Sequence, residues 1–241
     1  MTEPERAPYR TVATIRTDFP SKFGVPRQAG LVPELLARVV FEHDFRNPDA
    51  VRGLDGFSHL WLVWEFSLSL RADWSPTVRP PRLRGERVGV FATRSPFRPN
   101  PIGLSSVRLE RIDMDEELGP VLVVSGADLV DGTPILDIKP YIPFDQHPDA
   151  TSGFIDEHPK PDIDVHIDED LLARVPAEHR DALLGVLARD PRPVHLHDGS
   201  RVFGLPFAGM DVRFRFDGLV VEVLDVQPLD PDADSRWPGY R

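Results

Sequence analysis

The chain has 241 residues, of which 41% are apolar, carries a formal net charge of −11 and contains no cysteine. That is enough for one large domain, or a domain with a smaller one attached, and it excludes disulfides, thiolate nucleophiles and thiolate metal sites. No apolar stretch approaches the roughly 18–20 residues that cross a bilayer, and the opening MTEPERAPYR has charges and a proline where a signal peptide needs an apolar run, so a cytoplasmic protein with no membrane partner is expected.

The 26 prolines fall mostly between apolar runs, which points to short strands with rigid connections. Residues 9–15 (YRTVATI) and 37–43 (ARVVFEH) read as two strands, separated by an irregular stretch, 18–35, punctuated by Gly24, Pro26 and Gly30. The run 57–68, FSHLWLVWEFSL, is nearly continuous in apolar and aromatic residues, as in a strand buried on both faces. Runs rich in β-branched residues follow at 87–93, 104–112 and 121–130. Together they predict a mostly β domain over residues 1–150, with its sheet curled into a barrel.

Around 147–164 the composition shifts to acids, prolines and small polar residues, so 151–167 reads as an acidic linker or excursion. Residues 168–241 then read as a small αβ domain. Two helical stretches, 168–175 and 178–190, place Leu183, Leu184, Leu187 and Ala188 on one face. Strands follow at 201–209, 210–218 and 219–229, with Asp217–Gly218 at the centre of a hairpin turn. The fold class is α+β, mostly β.

Charge is unevenly spread. Between Arg71 and Arg111 lie nine arginines against Asp73, Glu86 and Glu110, so this stretch is +6 inside an acidic protein. A solvated basic face and a nucleic-acid contact both fit such clustering. Inside it runs FATRSPFRPNPIGLS, residues 91–105. Pro96, Pro99 and Pro101 fix φ and lack an N–H, so the segment continues neither a ladder nor a helix. A stiff loop loses little entropy on binding, and Thr93, Arg94, Ser95, Arg98 and Asn100 offer polar recognition groups along it. Gly103 allows a sharp turn or a close approach to a ligand.

ATRSPFRPNPIGLS resembles the signature of the TsaA-like, or TrmO, family of tRNA methyltransferases. Four further segments agree in order: FGVPRQAGLV (23–32), LDGFSHLWLVWEF (54–66), PTVRPPRL (76–83) and DLVDGTPILDIKPYIPF (128–144). The resemblance implies a β-barrel enzyme that uses S-adenosylmethionine to methylate N6 of N6-threonylcarbamoyladenosine, next to the anticodon of tRNA. It also implies a homodimer. The cofactor contacts it carries over are Pro26, Arg27, Gln28, His59, Leu60, Arg94, Leu104, Asp128, Leu129, Val130 and Asp131. The residues independently support one exclusion: no strand–GxGxxG–helix unit is present, so a Rossmann cofactor site is not expected.

Methyl transfer from a sulfonium asks chiefly for positioning, yet the acceptor N6 must also lose a proton. Asp137 and Lys139, two apart on a strand-like run, face the same side. Asp137 is the candidate base, with Lys139 or Tyr141 orienting the substrate; a surface ion pair beside a strand fits the same residues equally well. For the tRNA anticodon stem-loop, Arg79, Arg82, Arg84, Arg98 and Asn100 are the RNA-binding candidates, with Trp74 or Phe97 available for stacking. Arg213 and Arg215 could grip a second part of the tRNA. A non-catalytic protein that binds S-adenosylmethionine or RNA is the alternative function. His195 and His197 could begin a metal site, but no third ligand follows at convincing spacing, so no metal is expected.

Overall fold

The computed structural model describes residues 9–70, 73–83, 85–157, 163–192 and 201–230. Six antiparallel strands close into a barrel: β1 (Ala13–Arg16), β2 (Leu36–Phe41), β3 (His59–Glu65), β6 (Ile102–Asp115), β7 (Gly119–Ser125) and β8 (Pro134–Pro140), in the order β1-β2-β7-β6-β3-β8. Between β3 and β6, β4 (Thr77–Val78) and β5 (Val88–Gly89) form a separate two-stranded ribbon. Closure leaves no unpaired sheet edge, and the inward side chains of alternate positions fill the core, Ile15, Val39, Leu60, Leu62, Val107, Leu122 and Ile135 among them.

The expected barrel is present, but burial is distributed differently from the reading of residues 57–68. β3 alternates strictly, with Leu60, Leu62 and Trp64 buried and His59, Trp61, Val63 and Glu65 half-exposed on the outer wall. A barrel wall has only one core face, so the continuous aromatic run does not mean burial on both sides. The strand buried on both faces is β7, with Val121, Leu122, Val123 and Val124 each at most 3% exposed. A second correction concerns 87–93. Only Val88–Gly89 pairs as strand, and Val90–Ala92 is a 3-10 turn closed by a hydrogen bond from Thr93 N–H to the Val90 carbonyl.

Two short helices, α2 (Glu169–Leu172) and α3 (Arg180–Ala188), accompany the second sheet, while α1 (Phe154–Glu157) lies against the 3-10 turn Pro81–Leu83. That sheet has the order β10-β11-β12-β9, built from β9 (Asp164–His166), β10 (Phe203–Phe207), β11 (Met210–Asp217) and β12 (Val220–Pro228). β9, from the acidic stretch, pairs parallel to β12. The buried face of α3 is Ala182, Leu183, Val186 and Leu187, one step round from the expected set, because Val186 also turns inward. The β11–β12 hairpin pairs Asp217 with Val220, which makes Gly218–Leu219 the two-residue loop, one position beyond the expected Asp217–Gly218.

The core of this second sheet includes residues from the far end of the sequence. Phe19, Phe23, Val32 and Leu35, from the irregular 18–35 stretch, pack with Leu205, Phe203, Phe214 and α3. Phe19 meets Phe207 at 5.3 Å between ring centroids, and His179 Nδ1 lies 3.0 Å from Asp18 Oδ2. The stretch without secondary structure therefore ties the barrel to the αβ sheet through aromatic burial. Gly24 sits at φ +84°, and a Cβ there would stand 2.2 Å from Leu205 Cδ1. Gly24→Ala is expected to cost about 1–3 kcal/mol through backbone strain and overpacking, seen as a lowered denaturation midpoint with an unchanged m-value.

Candidate cofactor cleft and its arginine-rich rim

Two loops meet where β3 ends. One is the proline loop, and its own polar groups brace it. Thr93 Oγ1 donates to the Val90 carbonyl at 2.8 Å, and Arg98 Nη1 donates to the Thr93 and Ser95 carbonyls at 3.1 and 3.3 Å. Phe66 N–H donates to the Pro101 carbonyl at 2.8 Å, holding the loop against the chain leaving β3. The other loop, 127–133, is fixed to the segment after β1. Thr17 Oγ1 donates to the Leu129 carbonyl at 3.1 Å, Thr17 N–H to Asp131 Oδ1 at 3.1 Å, and Asp131 N–H to the Phe19 carbonyl at 2.8 Å.

Between them lies a cleft of about 200 Å³, lined by Val25 and Pro96, by Trp64, Glu65, Phe66 and Leu68 from the end of β3 and beyond, and by Asp128, Leu129, Val130 and Thr133. Lys22 closes one end, with Nζ 3.0 Å from Ser69 Oγ. Asp128, half-buried, is held by a hydrogen-bonded pair of side chains. Ser105 Oγ donates to its Oδ1 at 2.5 Å, and Trp64 Nε1 donates in turn to Ser105 Oγ at 2.9 Å. Burial pushes the Asp128 carboxyl above its ordinary range; the Ser105 hydroxyl, its own and the Ala29 backbone N–H groups and the nearby Arg94 charge oppose that rise. Arg94 also donates from Nη1 to Gln28 Oε1, so Gln28, Ala29, Arg94 and Asp128 form one cluster beside the cleft.

Several of the residues named from the sequence are thus brought together: Gln28, Arg94, Asp128, Leu129 and Val130. Pro26 is buried next to them, and Arg27 reaches the Arg192 carbonyl at 3.4 Å. Asp131 turns away to Thr17 and to Arg16, whose Nη1 stands 3.6 Å from Oδ2. His59, Leu60 and Leu104 are elsewhere. Leu60 is fully buried in the barrel, Leu104 is 53% exposed on the outer wall, and His59 Nδ1 contacts Ser58 Oγ at 2.9 Å. Asp137, Lys139 and Tyr141 also stand on the outer wall and do not line the cleft. Lys139 Nζ pairs with Asp137 Oδ2 at 2.6 Å, and Tyr141 packs on Trp61 at 5.3 Å between centroids.

Trp64, Ser67, Leu68 and Ser105 belong to the site or its support, and the sequence reading did not single them out. Trp64 and Ser105 sit in strands where an inward residue reads as core, and nothing in their spacing separates wall from filling. Gly103 has a role different from the one expected. A Cβ on it would stand 2.3 Å from Trp64 Cε2, so its bare Cα makes room for the indole rather than for a ligand.

The arginine stretch is largely engaged within the fold. Arg108 and Arg111 pair with Glu110 and Asp113, Arg87 donates to Ser75 and Thr77, Arg98 braces its own loop, and Arg82 reaches the Ile155 carbonyl at 3.4 Å. Arg79 and Asn100 are exposed. Arg84, His195 and His197 lie outside the described residues. In the second sheet, Arg213 pairs with Asp211 and Arg215 with Glu222. Among the described residues no group of three or more histidines and carboxylates could hold a metal ion, and no helix is long and apolar enough to cross a membrane.

A closed β-barrel with a carboxylate-bearing cleft beside it, joined to a small αβ sheet, is a class of fold distinct from the doubly wound cofactor-binding one. Residues 14–146 match the model of the tRNA-methyltransferase O N-terminal domain, and residues 160–229 that of the TrmO C-terminal domain. The chain belongs to the TrmO family. It is 38% identical over 230 residues to the Escherichia coli protein named tRNA (adenine(37)-N6)-methyltransferase, covering 91% of this chain and 97% of that one. A Pseudomonas aeruginosa relative whose name refers to S-adenosylmethionine-dependent methyl transfer is 39% identical, with 89% of this chain and 95% of the relative covered. A crystal structure of TrmO from P. aeruginosa superposes with a TM-score of 0.75 at 33% identity, covering 95% of this chain and all of that one.

The cleft suits a donor that is part apolar and part cationic. Trp64, Phe66 and Leu68 offer apolar contact, the main chain of 128–130 offers hydrogen-bonding groups, and the half-buried carboxylates of Asp128 and Glu65 offer negative charge.

Proposed function

We propose that the protein transfers a methyl group from S-adenosylmethionine to N6 of the adenine at position 37 of tRNA, with N6-threonylcarbamoyladenosine as the acceptor nucleoside. The observation that carries this reading is the Asp128 cleft in a chain whose residues 14–146 and 160–229 match the two TrmO domains. S-adenosylmethionine, when bound, supplies an electrophilic methyl group on a positively charged sulfur. Asp128 balances positive charge in the cleft, Trp64 and Ser105 hold its carboxylate, and Gln28 with Arg94 fixes the adjoining strip that begins at Pro26 and Arg27. Leu129, Val130 and Asp131 present main-chain groups on a loop anchored at three points to the chain after β1. Such preorganisation is what an in-line transfer requires.

The protein acts in the cytoplasm as a homodimer in this reading. Ile102, Leu104, Ile142 and Phe144 are exposed apolar residues on or beside the outer wall of β6, β3 and β8, a face suited to a second copy. Leu104, His59 and the Asp137–Lys139–Tyr141 group stand on that same wall. They would act on a partner's site, Asp137 as proton acceptor from N6 and Lys139 or Tyr141 as orienting groups. The sheet β10-β11-β12-β9 serves as a second platform for the tRNA, and the barrel holds the donor.

The test is nucleoside mass spectrometry on tRNA incubated with purified protein and S-adenosylmethionine, the tRNA coming from cells that make N6-threonylcarbamoyladenosine but not its methylated form. A product one methyl heavier at that nucleoside, dependent on the donor, is expected. Donor binding without product would instead favour a non-catalytic binding protein.

Phosphate contact is assigned to Arg79, Arg82, Arg84 and Arg98, and Asn100 to the same RNA. Arg79 is the cleanest probe, because it is exposed and outside the bracing of the proline loop. Arg79→Gln is expected to raise the KM for every tRNA substrate by the same few-fold factor and to reduce the slope of log K against log salt by about 1. A change confined to one tRNA would contradict a backbone contact.

A further inference from the structure

On the other side of the proline loop lies a second, smaller hollow of about 90 Å³, between Trp74 and Phe97. We propose that this slot receives the acceptor adenine of the tRNA, stacked on the Trp74 indole; the inference rests on the tRNA methyltransferase reading and adds the place where the base is held.

Three observations carry it. The first is position: Ser69 and Pro96 line both the slot and the Asp128 cleft. The two hollows therefore adjoin at these two residues, and a base stacked in the slot has its edge at the shared rim, where N6 can reach the donor's methyl group. A base at a tRNA anticodon loop must leave its stack before N6 can meet a methyl group, and the group it leaves for has to be another flat surface close to the donor. The second is the nature of the walls. Trp74 is 51% exposed and Phe97 36%, with Leu70 beside them, and Phe91 continues the aromatic surface 6.4 Å from Trp74 between ring centroids. Exposed large aromatics with Asp73 and Arg98 at the margin fit a heterocycle that is apolar on its faces and polar at its edge. The third is stiffness. Pro96, Pro99 and Pro101 form one wall of the slot, and Arg98 clamps that wall through the Thr93 and Ser95 carbonyls, so the slot is formed before RNA arrives.

The same position reassigns Arg98. Its Nη1 is committed to the loop's own carbonyls, which makes it a positioning residue for the slot in addition to any phosphate it meets.

The experiment uses an anticodon stem-loop RNA with 2-aminopurine in place of the acceptor adenine, and a second RNA with 2-aminopurine one base to its 5′ side. Stacking on an indole quenches the fluorescence of this base. Wild-type protein is expected to quench the acceptor-position probe strongly and the neighbouring probe weakly. Trp74→Ala should abolish that quenching and raise the KM for tRNA about tenfold, the scale of one base–aromatic stack. Trp74→Phe should keep most of both, and donor affinity by calorimetry should stay within about twofold in both variants. Quenching confined to the neighbouring base, or quenching at the acceptor position that survives Trp74→Ala, would overturn the proposal while leaving the activity in place. Absence of RNA binding by the wild-type protein would instead bring down the tRNA reading itself, and the slot with it.

Discussion

Gly103→Ala is expected to weaken donor binding about 10–100-fold while leaving the barrel folded. A Cβ at 103 would stand 2.3, 2.4 and 2.6 Å from three carbons of the Trp64 indole, distances that no relaxation of the methyl itself can relieve. Gly103 pairs with Trp64 across β6 and β3, so the strand cannot move away without breaking the barrel ladder; the indole must move instead. Trp64 is a wall of the cleft, and its Nε1 holds the Ser105 hydroxyl that donates to Asp128. Displacing it changes the shape of the apolar wall and releases the hydroxyl at once. Overpacking of this kind costs about 1–3 kcal/mol of stability, and the loss of a charge-assisted hydrogen bond adds about 1.5–3 kcal/mol to the binding deficit. Calorimetric titration with S-adenosylmethionine, beside a thermal unfolding curve, checks both parts. Unchanged donor affinity would remove Trp64 from the site.

The barrel was legible in the sequence because its signals are local. Alternating and β-branched runs bounded by prolines mark strands, and five of the six barrel strands coincide with such runs, the last, β8, lying in the strand-like ILDIKP. What stayed hidden depends on which parts of the chain meet. Nothing in 18–35 announces that Phe19 and Phe23 pack on Phe207 and Phe203 near the other end of the sequence, since an irregular stretch carries no periodicity to assign a face. The same limit explains the site. Asp128, Gln28 and Arg94 stood out through a shared motif, while Trp64 and Ser105 looked like barrel filling. Their role appears only when the ends of β3 and β6 are set beside the loop after β7. His59 and Leu60 illustrate the reverse case: a motif supplied the residues, but the pleat sends one to the outer wall and the other into the barrel core.

The arginine stretch shows how composition overstates a surface. Nine arginines against three acids suggested a broad basic face, yet Arg87, Arg94, Arg98, Arg108 and Arg111 each meet a group within the fold. An arginine that braces a loop still contributes its charge to the long-range field, so the stretch can steer an RNA phosphate backbone without every member touching it. With the proposed slot, Arg79 and the slot aromatics would carry the close contacts, which would confine sequence-independent attraction and base recognition to different residues.

Asp128→Asn separates charge from shape at the cleft. The substitution keeps an acceptor for Ser105 and the Ala29 N–H but removes the negative charge, and donor affinity is expected to fall about 10–100-fold, the scale of a hydrogen-bonded charge. The pH dependence gives a sharper signature. Burial raises the folded-state pKa of Asp128 above its ordinary value of 3.8, so in the wild type donor affinity should fall as pH drops through that raised value, beginning above the ordinary carboxylate range. The sulfonium stays charged throughout, and the Asp128→Asn variant should show no such fall. Stability runs the other way. With its folded pKa raised, Asp128 favours folding most when protonated, and that contribution is lost as pH rises through the folded pKa. Ionised Asp128 is thus a cost to the fold at neutral pH, kept for binding. Asp128→Asn should therefore be more stable than the wild type at neutral pH, with the gap closing on acidification. Denaturant titrations at a series of pH values, run beside donor calorimetry at the same pH, measure both slopes. Opposite slopes in the wild type and their joint disappearance in the variant would tie affinity and instability to the same carboxylate; parallel slopes in the two proteins would place the titrating group elsewhere.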